Sequence, residues 1–346
     1  MVWDKLLLAC CAALLSAAGG SALAKDPVRC ADGTEASVCG DGTIKADVSG
    51  SVLEIKTSTR MGGAIESLTW KGKEFINSSD HGRLMQSASS FNRLGECYNP
   101  TEAGSAYDAR GKSSSRLTAF SAEGNRLTST NHPAYWRNCL RDSNRPSSAR
   151  AANDQAGQPL LQSVGGSRDR SKASDHTFSK DITIGFRGHP NIIVYKVTFG
   201  VPDSFRFTEA VFEPLTAYMP TSTVSQSFAY SPAGYDGKGE CAWPEMCRFP
   251  DKMPKGRAQT RPIIVSSPDG EYAMGVYTPD IKYTEDYDRN STSHYTIISN
   301  DGILKWNVAS VRQNPGQGEY SYTIYVIVGS KEQVKDDIDF LYAELK

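Results

Sequence analysis

The chain has 346 residues, 39% of them hydrophobic and 22% charged, with 38 Lys and Arg against 39 Asp and Glu. That length suits one large domain or two small ones, and the composition excludes a multi-span membrane protein, a collagen-like chain and a wholly disordered one. A formal charge of -1 supplies no field to hold a polyanion, and no local basic stripe compensates, so nucleic acid is not an expected partner.

Residues 1–24 read as a secretory signal peptide. Met1 to Lys5 precede an apolar run from Leu6 to Leu15, and small residues lead to Ala22-Leu23-Ala24, a small-x-small cleavage site. The run is too short for a hydrocarbon core of about 30 Å, so no membrane span is expected in the mature chain and a secreted or periplasmic location is. Six cysteines then remain, Cys30, Cys39, Cys97, Cys139, Cys241 and Cys247, an even set in an oxidising compartment. Several connectivities are open. Short loops favour Cys30 with Cys39 and Cys241 with Cys247, which leaves Cys97 with Cys139. Zinc has little support, because there is no C-x-x-C pair and His132 alone lies near a cysteine.

Residues 25–48 form a disulfide-clipped N-terminal segment, and 49–346 are expected to form a single β-sandwich domain. Alternation with a period of two marks Val52 to Ile55, Ile65 to Trp70, Phe178 to Phe186, Ile193 to Phe199, Phe205 to Leu215, Pro262 to Val265, Ala273 to Tyr277, Tyr295 to Ile298, Leu304 to Val311 and Tyr320 to Val328. Turn residues separate them, as in Lys71-Gly72-Lys73, Gly188-His189-Pro190-Asn191 and Pro268-Asp269-Gly270. Insertions near 141–175 and 231–259 interrupt the pattern; the first reads as a mobile loop and the second as a disulfide-ordered groove wall. One helix is expected at the C-terminus, where Val334, Ile338, Leu341, Tyr342 and Leu345 share a face. Strands do not alternate with helices, so the fold class is all-β: a large antiparallel sandwich with a short C-terminal helix.

The stretch Met61-Gly62-Gly63-Ala64-Ile65-Glu66-Ser67-Leu68-Thr69-Trp70-Lys71-Gly72-Lys73-Glu74-Phe75-Ile76-Asn77 resembles the opening hairpin of galactose-mutarotase-like supersandwich proteins. It has their Gly-rich strand end, Ile-x-x-Leu strand, Gly turn and short Glu-containing strand, and compatible strands continue across roughly Ser49 to Ser330. The resemblance implies a supersandwich and a carbohydrate-active protein. It does not choose among sugar epimerases, glycoside hydrolase modules, polysaccharide lyase domains and non-catalytic sugar binders. The paired-histidine pattern of aldose epimerases is not recognisable, which counts against mutarotation.

The densest polar constellation follows, in Asp80 to Gln86 and Gly95 to Glu102. On an extended strand His81 and Arg83 project together. Arg83, Gln86 and Asn99 suit hydroxyl or carboxylate contacts, while His81, Glu96, Tyr98 and Glu102 suit proton transfer. A surface turn with an Asp80–Arg83 ion pair is the plainer alternative. His132, Tyr135 and Trp136 offer a stacking platform, and Glu209 and Glu213 place two carboxylates on one strand face, although core packing and solvent-facing charge explain these equally well. Trp243 would rim a groove from inside the small cysteine loop. Asp280, Glu285, Asp286 and Asp288 offer oxygen ligands for a structural calcium but lack a loop spacing, so no cofactor is expected. The leading expectation is a secreted enzyme cleaving glycosidic bonds of a saccharide, hydrolysis slightly ahead of uronate lysis, with a non-catalytic saccharide binder or an epimerase as alternatives.

Overall fold

The structure, a computed structural model, describes residues 26–93, 96–137, 173–205, 207–232, 246–282, 288, 290–300 and 302–345. Two antiparallel sheets face each other. The first runs Met246–Arg248, Gln226–Tyr230, Ile263–Ser266, Ala273–Tyr277, Gly318–Gly329, His189–Val201, Thr177–Phe186, Arg126–His132, Arg116–Glu123. The second runs Met253–Gln259, His294–Asn300, Ile303–Gln313, Glu209–Pro220, Met85–Phe91, Ile65–Trp70, Ser51–Thr57, Gly42–Val48.

Alternation explains the layering. Ile193, Tyr195, Val197 and Phe199 of the first sheet and Phe212, Ala217, Leu304, Trp306 and Val308 of the second belong to one continuous core between the sheets. Both sides of the sandwich are closed. Lys45 N–H donates to Gly124 O at 3.1 Å, joining the Gly42–Val48 edge to the turn after Arg116–Glu123. On the opposite side the chain crosses from Met246–Arg248 to Met253–Gln259 through a turn that Arg248 and Asp251 close at 2.8 Å. Neither sheet therefore leaves a long bare edge there.

The outer faces differ. The helix Lys331–Glu344 lays Val334, Ile338 and Leu341 over Ile192, Ile264, Ala273 and Ile327, which covers the first sheet. It sits so close that a Cβ at Gly275 would meet Val334 Cγ1 at 2.5 Å. The outer face of the second sheet carries polar side chains at alternate positions, and there the candidate site lies.

Several expectations are corrected. The sandwich begins at Gly42 rather than at residue 49, because Ser49 and Gly50 turn with positive φ and bury Ile44 and Val48 in the core. The hairpin expected to turn over Gly188 to Asn191 turns over Arg187-Gly188, so His189 already starts the next strand. The strand expected from Phe205 starts at Glu209. The strands Met85–Phe91, Arg116–Glu123 and Arg126–His132 lack a strong apolar alternation, and sheet neighbours make them strands. The insertion near 231–259 supplies two edge strands, Met246–Arg248 and Met253–Gln259. Residues 1–24 and most of the insertion near 141–175 lie outside the described residues.

Candidate functional site

Because Leu304, Trp306 and Val308 point into the core, Lys305 and Asn307 point outward, and the ladder sets their neighbours. Lys305 lies opposite Tyr218 on one side and Ile298 on the other. Asn307 lies opposite Thr216 and Thr296, and Thr216 lies opposite Gln86. A bulge between Phe212 and Leu215 leaves Glu213 on this face beside Thr216, whose hydroxyl donates to Glu213 Oε2 at 2.9 Å. The Lys305 ammonium stands 5.0 Å from the Tyr218 ring centroid. Burial works against the charge of Lys305, but Glu213, then Tyr218 and Glu96, more than offset it and raise its pKa. Lys305 thus stays charged on this face, in the field of Glu213 and, more weakly, of Glu96.

The wall of this floor is a tight turn and a short ribbon. Asp80 Oδ1 accepts from Gly82 N–H at 2.9 Å and Asp80 O accepts from Arg83 N–H, so Asp80 to Arg83 is an Asx turn, not an extended strand. That corrects the shared face expected of His81 and Arg83: His81 turns inward, and Arg83 stays half-exposed, paired with Asp80 at 2.5 Å. Trp136 packs on this turn so closely that a Cβ at Gly82 would come within 2.5 Å of its ring. Leu84 O accepts from Tyr218 N–H, which fixes the turn to the floor. Residues 97–101 pair with 134–137, and Arg137 meets Glu96 at 3.3 Å at the end of that ribbon.

The remaining expected residues serve elsewhere. Glu102 is 2% exposed and forms an ion pair with Lys180, itself 3% exposed, on the opposite sheet. Its other oxygen accepts from Ser87 N–H at 3.0 Å, and Ser87 shares a 2.9 Å hydrogen bond with Tyr195, so this group ties the two sheets together inside the core. Burial, and then the Glu102 charge, push the Tyr195 hydroxyl far above its ordinary pKa. Gln86 is consumed internally, donating to His81 O and accepting from Ala103 N–H. His81 Nε2 donates to Arg60 O at 3.0 Å, and His132 Nδ1 donates to His176 O at 3.0 Å. Tyr98 is buried with its ring edge-on to Tyr135, whose pKa is raised by burial and then by Asp175. Glu209 pairs with Arg93 at 2.9 Å and lies four residues along the strand from Glu213, about 13 Å at strand rise. Those two carboxylates therefore do not meet across one sugar bond. Asn99 stays beside the wall, its carbonyl receiving Trp136 N–H.

Trp243, Glu285 and Asp286 lie outside the described residues. The Asp280 carboxylate accepts from the Thr278 hydroxyl and Asp288 caps its own turn, and the one potential metal-binding group among the described residues, Cys30, Cys39 and Asp41, includes the cysteines of a formed disulfide. Cys97 and Cys247 are each disulfide-bonded, and the partners expected for them, Cys139 and Cys241, lie outside the described residues. Sequence reasoning missed Thr216, Tyr218, Thr296, Lys305, Asn307 and Arg137. The first five carried a usable signal, being polar residues at every second position of otherwise apolar strands.

No protein-family model matches the chain, and no curated protein matches it. Among solved structures it is similar to a putative aldose 1-epimerase from Escherichia coli K12, at 8% identity over 83% of this chain and 99% of that one, TM-score 0.40. It is also similar to a galactose mutarotase related enzyme from Lactobacillus acidophilus, at 10% identity over 84% and 98%, TM-score 0.43. A GH36 alpha-galactosidase from Geobacillus stearothermophilus gives 7% identity over 83% and 40%, TM-score 0.39. Likenesses this distant carry no argument about activity.

Proposed function

We propose that this chain is an extracytoplasmic carbohydrate-active protein that cleaves a glycosidic bond on the outer face of its second sheet. The observation that carries the reading is Lys305 on the outer face beside Tyr218, in the field of Glu213 and, more weakly, of Glu96. Hydrolysis requires two carboxyl groups flanking the bond, one delivering a proton and the other assisting water or attacking. Glu102 is sealed in the core with Lys180 and Glu209 lies about 13 Å along the strand from Glu213, so Glu213 and the exposed Glu96 take these roles. Trp136 offers a flat apolar wall for the C–H side of a sugar ring. The compartment rests on the leader-like residues 1–24 and on the Cys30–Cys39 disulfide; no helix among the described residues is long and apolar enough to cross a membrane.

Charge balance favours hydrolysis over elimination. Elimination on a uronate needs a cation to neutralise the substrate carboxylate. Among the described residues of this face Arg83 faces Asp80, Arg137 faces Glu96 and Lys305 faces Glu213, which leaves no surplus positive charge. The test is release of reducing ends from a polysaccharide panel, read together with the ultraviolet absorbance of unsaturated uronates. Glu213→Gln and Glu96→Gln should stay folded and lose roughly 10²-fold or more in turnover, the range for a lost acid or base. Products with the unsaturated chromophore would replace hydrolysis by elimination, and saccharide binding without product would leave a binding protein.

A further inference from the structure

The polar row next to Lys305 contains one acceptor that its internal bonds leave unserved. Gln86, Thr216, Asn307 and Thr296 stand side by side across four strands, roughly 4.8 Å apart, on the outward face. Gln86 spends its amide on His81 O and Ala103 N–H, and Thr216 spends its hydroxyl hydrogen on Glu213. Asn307 is different. It is 8% exposed, its Oδ1 is fully buried, and that oxygen accepts no hydrogen bond within the protein. Buried acceptors are nearly always satisfied, so an orphan in the middle of a polar row calls for a donor that the chain does not supply, a water or a ligand hydroxyl. Thr296 and Thr216, each 4% exposed, flank it with hydroxyl oxygens that also have lone pairs to offer.

We propose that the Thr216–Asn307–Thr296 row is the hydroxyl-recognising subsite of this face, with Asn307 Oδ1 accepting a hydrogen bond from a sugar hydroxyl. This rests on the saccharide reading above and adds to it the residue that selects the ligand. A hydroxyl donates and fits. A carboxylate oxygen only accepts, so it leaves Asn307 Oδ1 without the donor that a hydroxyl supplies. The missing-donor penalty is the same effect that lets a buried polar site discriminate strongly between a hydroxyl and its absence.

The experiment is binding of neutral and uronate oligosaccharides to the whole protein on a glycan array, followed by calorimetry on the tightest ligand. Asn307→Ala should stay folded by circular dichroism and weaken that ligand about tenfold, the usual worth of one satisfied hydrogen bond plus a buried orphan. A deoxy analogue lacking the recognised hydroxyl should bind wild type and Asn307→Ala alike. Thr296→Val removes the neighbouring hydroxyl at unchanged volume and should weaken binding severalfold, which keeps the test alive should Asn307→Ala misfold. If Asn307→Ala and Thr296→Val bind like wild type while Trp136→Ala loses binding, the subsite is overturned and the saccharide reading stands. A uronate as the tightest ligand, indifferent to Asn307→Ala, overturns it as well. If no saccharide binds wild type, the reading falls and the subsite with it.

Discussion

Glu96 and Glu102 look alike in sequence, two glutamates flanking one cysteine, yet their surroundings give them opposite work. Glu102 and Lys180 are sealed between the sheets, whereas the Glu96 side chain is 66% exposed beside Arg137. Removing one member of a buried pair strands the other charge, so Glu102→Gln should cost about 3 to 5 kcal/mol in urea denaturation. Glu96→Gln, at the surface, should cost less than about 1 kcal/mol. Equal losses would mean that the ion pair does not hold the sheets. His176 makes a second residue-scale case. It is boxed by Phe91, Phe205 and Tyr135, and burial lowers its pKa from the ordinary 6.5 to about 3. A depressed folded-state value means that its neutral form is fully tolerated above pH 6.5, and stability drains as pH falls from there toward 3. The loss attributable to His176 is about 1.4 kcal/mol per pH unit within that window. His176→Phe should remove that part of the acid slope, seen as a stability gap between variant and wild type that widens from pH 7 to pH 4. A gap that stays constant with pH would show that His176 does not titrate on unfolding.

The C-terminal helix was legible as an element because apolar spacing and a cap agree. Ser330 Oγ accepts from Gln333 N–H while Gln333 Oε1 accepts from Ser330 N–H, a capping box that starts the helix where the pattern starts. Its partner surface was not legible, since Ile192, Ile264 and Ile327 come from distant strands. The two contributions separate by mutation. Ser330→Ala should cost about 1 kcal/mol and Ile338→Ala about 2 to 5 kcal/mol by chemical denaturation, because the first frees an end and the second opens a cavity against the sheet. The reverse order would make the helix an independently stable appendage. The strand Met85–Phe91 shows the converse failure: Ser87 and Ser89 occupy inward positions, so no apolar alternation announces it. Ser87 is paid for by Tyr195 and Pro214 O across the core, partners that only folding supplies.

At the scale of the whole molecule, the sandwich is closed on both sides, and its disulfides tie loops onto that frame. Cys30–Cys39 secures the segment whose Asp32 carboxylate accepts from Arg60 N–H at 2.6 Å, next to the carbonyl that receives His81. Non-reducing peptide mapping should find no free thiol, with Cys97 joined to Cys139 and Cys241 to Cys247. Replacing the Cys97–Cys139 pair by serines should lower stability by about 2 to 4 kcal/mol. Recovery of Cys97 joined to another cysteine would detach the insertion from the Glu96 ribbon.

By itself the sequence determined the all-β class, the C-terminal helix, the inward faces of most strands and the Cys30–Cys39 clip, because period, capping and short loop length are local properties of the chain. It also pointed to the region of Arg83, Glu96 and Trp136 as polar and aromatic. Only the tertiary structure decided the partners of the carboxylates, since Glu102 and Glu209 meet their cations, Lys180 and Arg93, across 78 and 116 residues of chain. It likewise brought Glu213, Tyr218, Lys305 and Asn307 onto one face, because a strand specifies which of its side chains point outward but not which strand will lie beside it.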